Sequence, residues 1–223
     1  MEKIAGGRGV LLGGVPGVTP GRVLVIGGGV VGDNAAAMAV GMGANVAILD
    51  RSLPRLRRLD SEYEGRVNCV YSTESAIEEL AVEADLVIGA VLVPGAEAPK
   101  LLSVDNIKSM KSGSVVVDVA IDQGGCFETS RPTTHEDPTF RVDDVIHYCV
   151  ANMPGGVPRT STIALNNATL PYGLDIANKG ARQAIADDRD LMNGLNVCNG
   201  QVTHPEVARA LSFEYVKPLT AIT

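Results

Sequence analysis

The chain has 223 residues, 45% of them hydrophobic and 20% charged, with a net charge of −7, which allows one substantial core, or one domain and an appendage. Its acidic residues are spread along the sequence and Lys/Arg runs stay short, which argues against nucleic acid or an anionic membrane as a partner. No apolar stretch approaches the roughly 20 residues of a membrane span, and the first residues lack the basic and apolar blocks of a signal peptide, so the expected location is the cytoplasm.

The first strong pattern is VLVIGGGVVGDNAAAMAVGMGANVAILD, from Val23 to Asp50. Val23 to Ile26 is continuously apolar, the mark of a strand buried on both faces. It stops at a G-x-G-x-x-G turn in which Gly27 permits the tight turn and Gly29 lets a pyrophosphate approach the backbone. Gly32 lets the next helix pack closely on the strand. That helix runs from Val30 to about Val40, and its free N–H groups at Val30 and Val31 suit a pyrophosphate. The next strand, Asn45 to Leu49, delivers Asp50, which can accept both ribose hydroxyls. An acid there repels the 2′-phosphate of NADP, so the pattern favours NAD, a preference that Arg51 and Arg55 weaken. The bland explanation of the glycines is a turn closing an ordinary βαβ unit. The strand, helix, second strand and acid together single out dinucleotide binding.

Further along, Pro54 to Tyr63 has helical spacing, and Val67 to Val70 reads as a strand. Ser72 or Thr73 can cap a helix through Ile77, Leu80 and Ala81. Asp85 to Ala90, Val115 to Val119 and Ile146 to Val150 are further strand candidates, with a short helix at Val104 to Met110. This alternation predicts an α/β fold, a doubly wound parallel sheet of the Rossmann type, over residues 1–158. Past Arg159, Thr160 to Ala177 reads as a helix capped by Thr160 or Ser161 and interrupted at Pro171. A polar helix follows at about Gly180 to Met192, and a short amphipathic piece spans Pro205 to Leu211. Residues 159–223 are therefore expected to form a helical segment without a second sheet.

Three loops follow predicted strands: Val91-Leu92-Val93-Pro94-Gly95, Ala120 to Gly125, and Ala151 to Pro154. In an open α/β sheet such loops and the glycine turn meet at the carboxyl edge, where ligands bind. Asp122 there can accept a ribose hydroxyl, orient a nicotinamide or manage a proton, or simply cap its own turn before the glycines. Asn152 has the same two readings, a carboxamide or ribose contact or an Asx turn. Cys69, Cys126, Cys149 and Cys198 form no ligand-spaced cluster with the histidines, so buried thiols and no metal are expected. Cys126, after two glycines, has no histidine nearby to make it a nucleophile. His147 lies in an apolar run and reads as structural, while His135 and His204 sit in polar, proline-flanked loops.

With these loops assembled, the chain resembles alanine dehydrogenase and, more distantly, the nicotinamide nucleotide transhydrogenase subunit. The resemblance rests on GGRGVLLGGVPGV at Gly6 to Val18, GGGVVGDNAA at Gly27 to Ala36 and DLVIGAVLVPGAEAPKL at Asp85 to Leu101. VDVAIDQGGCFETSRPTTHEDPTF at Val117 to Phe140 and HYCVANMPGGVPRTST at His147 to Thr162 complete it. It implies NAD-dependent oxidative deamination of L-alanine to pyruvate and ammonia, in a homo-oligomer that in the family is often a hexamer. It places Asp50 at the adenosine ribose, Ser72 near the adenine, Arg55 as a basic residue near the adenosine end, and Val91 and Leu92 along the cofactor cleft. Val119 joins the cofactor contacts, and Asp122, Asn152 and Met153 fall beside the nicotinamide and substrate, with Asp122 the candidate catalytic group.

Family members carry the substrate-binding arginine and lysine and the catalytic histidine on an amino-terminal domain ahead of this region. That domain is absent from this sequence, and none of His135, His147 and His204 matches the missing histidine. The expectation is a form inactive alone, with helices beyond Arg159 that have lost partner surface. The alternative is an NAD-binding module working with a separately encoded partner, as in transhydrogenase-type assemblies.

Overall fold

A computed structural model describes residues 1–92 and 98–222. They form two compact units, residues 1–92 with 98–152, and residues 153–222. The first unit is built on strands β1 (Arg22–Ile26), β2 (Asn45–Asp50), β3 (Val67–Tyr71), β4 (Leu86–Gly89), β5 (Val115–Asp118), β6 (Thr139–Val142) and β7 (Val145–Tyr148). They make one sheet in the order β3-β2-β1-β4-β5-β7-β6. All pairings are parallel except β6 with β7. The order reverses between β1 and β4, which is the switch point of a doubly wound sheet.

Both faces of the sheet are buried, as the unbroken apolar strands predict. Val23, Val25, Val46 and Ile48 pack beneath Ala36, Ala39, Leu59 and Tyr63 on one face. Leu24, Ile26, Leu49 and Val87 pack with Ile77, Leu102, Ile107 and Phe127 on the other. Helix α1 (Val30–Gly41) faces the sheet with Gly32, Ala36 and Ala39, small residues that allow close approach. Helix α2 (Leu53–Tyr63) starts at Ser52, whose hydroxyl accepts the Arg55 N–H, and buries Leu56, Leu59 and Tyr63. Helix α3 (Glu74–Glu83) is capped by Thr73 rather than Ser72. The short α4 (Val104–Ser109) has a capping box between Ser103 and Asn106.

The sequence reading missed strand β6. Asp143 and Asp144, with φ of 46° and 63°, form a two-residue turn that closes Val142 onto Val145. Two consecutive positive φ values define the type I′ hairpin turn, usually written Asn-Gly or Asp-Gly rather than Asp-Asp.

The second unit departs further from expectation. Helix α5 (Pro158–Lys179) runs unbroken through Pro171, so the predicted interruption is wrong: proline removes one N–H donor, a loss the remaining turns absorb. Neither Thr160 nor Ser161 caps it, because both lie within the helix, and the Ser161 hydroxyl donates to the Pro154 and Val157 carbonyls instead. The polar helix divides into α6 (Ala181–Asp187) and α7 (Arg189–Asn193), because Asp188 is extended and its carboxylate accepts the N–H groups of Asp190 and Leu191. A small hairpin of β8 (Val197–Cys198) and β9 (Gln201–Val202) was also missed. It turns on Asn199 and Gly200, both at positive φ. Helices α8 (Pro205–Leu211) and α9 (Pro218–Ile222) complete the unit. Among the described residues, no helix is long and apolar enough to cross a membrane, and no group of His, Cys, Asp and Glu could hold a metal ion.

Candidate functional site

Strand register aligns the predicted site residues of the first unit in one row. Ile26 pairs with Leu49 and with Gly89, Asp50 with Tyr71, and Gly89 with Asp118. One residue further, the row continues at the carboxyl edge. The Ser72 N–H donates to the Asp50 carbonyl (3.0 Å), Gly27 N–H to Leu49 (2.8 Å), Ala90 N–H to Ile26 (2.8 Å) and Val119 N–H to Gly89 (3.0 Å). Ser72, Asp50, Gly27, Val91 and Val119 thus cap neighbouring parallel strands on one edge.

The three glycines of the turn do different things. Gly27 has φ +104°, and a Cβ there would lie 2.7 Å from the Ala90 carbonyl oxygen, so both conformation and space demand glycine. A Cβ on Gly32 would overlap the Gly27 carbonyl oxygen, whereas one on Gly29 would meet nothing within 4 Å. Gly29 is therefore the open position of the turn. It precedes α1 without a side-chain cap, which leaves the first N–H groups, at Val30, Val31 and Gly32, without an intrahelical acceptor. The Val30 and Val31 side chains are exposed, so the helix start presents a surface of open backbone donors.

Asp50 is held from within the chain. Its Oδ2 accepts the Gly28 N–H at 2.8 Å and its Oδ1 the Ser52 N–H at 2.7 Å. Each oxygen keeps acceptor capacity for another hydroxyl, and the carboxylate is fixed against the glycine turn. Buried Ser72 stands beside it at the end of β3.

The Arg55 side chain is committed to the same turn. Its Nε donates to the Gly28 carbonyl, and its Nη2 to Gly29 (3.4 Å) and to the Asp33 carboxylate at 2.8 Å. The Tyr63 hydroxyl donates to the other Asp33 oxygen at 2.7 Å. Burial first, and then the hydrogen bond and charge of Asp33, push the Tyr63 phenol above its ordinary range. An acid in the first turn of α1 would oppose an incoming anion, and Arg55 neutralises it.

Across the switch point, Val91 is half-buried and packs toward Gly27, while Leu92 is exposed. Val93, Pro94 and Gly95 of that loop lie outside the described residues. Asp122 is exposed on a 3-10 turn, Ile121–Gln123, and no side chain among the described residues pairs with it. Asn152 has φ +55°, a left-handed conformation that asparagine tolerates, and its carbonyl oxygen lies 3.1 Å from His135 Nε2. Met153 opens the second unit in the 3-10 turn Met153–Gly156. A cavity of about 370 Å³ lined by Arg22, Leu24, Asn45, Asn68 and Leu80 sits at the amino ends of the strands, away from these residues.

Asp118 went unnoticed in the sequence. It is fully buried at the end of β5 and accepts bonds from the N–H groups of Ala120 and Cys126 and from the Ser130 hydroxyl. Cys126 is buried, and its thiol is pushed far above the ordinary value by burial and then by Asp118, which suits a core residue and not a nucleophile.

His147 is fully buried, with Nδ1 3.1 Å from the Val145 carbonyl, Nε2 2.7 Å from the Thr129 hydroxyl, and its ring stacked on Phe140. Burial lowers its pKa from the ordinary 6.5. The unfolded chain then binds the proton more readily than the folded one, so the stability owed to neutral His147 is complete above about pH 6.5 and is lost as pH falls toward the folded value. A His147→Gln variant is expected to show a shallower fall in melting temperature between about pH 7 and pH 5; parallel curves would contradict this.

Residues 1–205 match the family model for the alanine dehydrogenase/PNT C-terminal domain. The chain is 61% identical over 222 residues to an alanine dehydrogenase of Halomonas elongata, covering 100% of this chain and 60% of that protein. It is 58% identical over 216 residues to an alanine dehydrogenase of Staphylococcus haemolyticus, covering 96% and 58%. A solved L-alanine dehydrogenase superposes with a TM-score of 0.87 at 53% identity, over 95% of this chain and 58% of that one. A transhydrogenase from Sinorhizobium meliloti gives 0.58 at 28% identity, over 66% and 41%. The chain thus spans 58–60% of the length of these curated relatives. A Rossmann-type sheet with this turn, this acid and a family match over residues 1–205 makes the chain a member of the alanine dehydrogenase/PNT C-terminal domain family.

Proposed function

We propose that this chain is the NAD-binding portion of an alanine dehydrogenase, and that together with substrate-binding residues supplied by an amino-terminal domain it oxidises L-alanine to pyruvate and ammonia. On this reading, residues 1–158 form the nucleotide domain and residues 159–223 pack on the substrate domain. The observation that carries the reading is the uncapped start of α1 behind Gly29, with Asp50 fixed beside it. Such a terminus offers several N–H donors to a pyrophosphate, and Asp50 offers its free acceptor sites to a ribose. The donor set fits NAD.

NAD supplies the hydride acceptor of the overall change, in which alanine, NAD⁺ and water give pyruvate, ammonium, NADH and a proton. The chain's own residues bind and orient. Gly27, Gly29, Val30, Val31 and Gly32 hold the pyrophosphate, and Asp50 and Ser72 the adenosine. Arg55 keeps the glycine turn in shape and cancels Asp33. Val91, Leu92 and Val119 line the path to the nicotinamide. Asp122, with which no side chain among the described residues pairs, faces the positive charge of the reacting groups and steadies it, with Asn152 at the far end. The proposed setting is the cytoplasm, in a homo-oligomer.

The test is a chimera in which this chain replaces the matched region of the Halomonas elongata enzyme. Alanine-dependent NADH formation within about tenfold of the parent is expected; a folded chimera that binds NAD and forms no NADH would contradict the reading.

A further inference from the structure

We infer that Asp118 is a positioning residue for the nicotinamide half of the cofactor site, acting through the segment that carries Asp122; this rests on the NAD reading above. Asp118 is the only carboxylate among the described residues with no exposed surface. A buried charge is costly unless several donors meet it, and every donor here comes from the next twelve residues. The Ala120 N–H lies at 3.1 Å, the Cys126 N–H at 2.8 Å, the Phe127 N–H at 3.4 Å, the Cys126 thiol at 3.3 Å and the Ser130 hydroxyl at 2.5 Å. The carboxylate thus ties together the beginning and end of a loop whose middle bears Asp122.

Other contacts close the loop around it. Gly125 lies against the carboxylate, since a Cβ there would come 2.7 Å from Asp118 Oδ2, and its φ is +74°. Lys100 Nζ donates to the carbonyls of Gly124 and Gly125 at 2.6 and 2.8 Å. Ile121 is buried while its neighbour Asp122 is exposed, so the turn is anchored on one side and presented on the other.

Position in the sheet assigns the half of the ligand. A dinucleotide lies across the switch point with one mononucleotide on each side. Asp50 ends β2 on one side, and Asp118 ends β5 on the other, with β1 and β4 between them. Loss of the Asp118 anchor should therefore weaken contacts to the nicotinamide half and spare the adenosine half. Asparagine at 118 would keep the size, remove the charge and turn an NH₂ group toward a site filled by N–H donors.

The experiment titrates the wild-type chain, Asp118→Asn and Ser130→Ala with NAD and with ADP-ribose, which lacks the nicotinamide. NAD affinity is expected to fall about tenfold in Asp118→Asn and a few-fold in Ser130→Ala, with ADP-ribose affinity changed by less than about twofold. Should Asp118→Asn fail to fold, Ser130→Ala, which removes a single donor, decides. Equal losses for both ligands, or unchanged NAD affinity in the folded variants, would overturn the inference. A wild-type chain that binds neither ligand would overturn the NAD reading itself and this inference with it.

Discussion

Gly32→Ala is expected to destabilise the first unit by about 2–3 kcal/mol, read as a lower midpoint of urea unfolding. The added methyl would occupy the position of the Gly27 carbonyl oxygen and crowd Val25, whose Cγ1 would be 3.1 Å away. That carbonyl has nowhere to retreat. Gly27 is fixed by its N–H bond to Leu49 and boxed in by the Ala90 carbonyl. Helix α1 would have to lift from the sheet, opening the contacts of Ala36 and Ala39, which are 0% and 5% exposed. Gly29→Ala is the control. Its Cβ meets nothing and its φ is −67°, so stability should stay within about 0.5 kcal/mol of wild type, while NAD affinity falls because the methyl fills the space left for the pyrophosphate. Equal stability of the two variants would refute this division of labour within the turn.

The second large effect is expected at Asp50. Removing its carboxylate in Asp50→Ala takes away the acceptor for the ribose hydroxyls and frees the N–H groups of Gly28 and Ser52 that it now holds. Charge-assisted hydrogen bonds of this kind are worth about 1.5–3 kcal/mol, so NAD affinity should drop by one to two orders of magnitude. NADP should lose less, because the repulsion of its 2′-phosphate disappears with the charge. A ratio of NAD to NADP affinity that does not move would show that Asp50 does not face the ribose.

The parts of the site that were legible in the sequence are those whose physics is local. A buried strand, a glycine turn, an uncapped helix start and a strand-terminal acid lie within Val23 to Asp50, and the structure forms each of them in place. Asp118 was hidden because its meaning depends on donors up to twelve residues on, which only the folded loop brings together. Arg55 shows the same limit: its charge suggests the adenosine end, yet its guanidinium is spent on the Gly28 and Gly29 carbonyls and Asp33. Strand β6 escaped because its alternation, Thr139-Phe140-Arg141-Val142, spans only four residues and its turn is Asp143-Asp144 rather than a glycine-containing pair. The β8–β9 hairpin did carry a signal, Asn199-Gly200, which is the commonest type I′ pair.

The most direct measurement is calorimetric titration of the unmodified chain with NAD and, separately, with NADP. Saturable binding of one NAD per chain is the expected result, with NADP clearly weaker, because the open donors of α1 take the pyrophosphate and Asp50 selects the unphosphorylated ribose. A folded chain that gives no binding heat with NAD at any temperature tested, or that binds NADP as tightly, would contradict it.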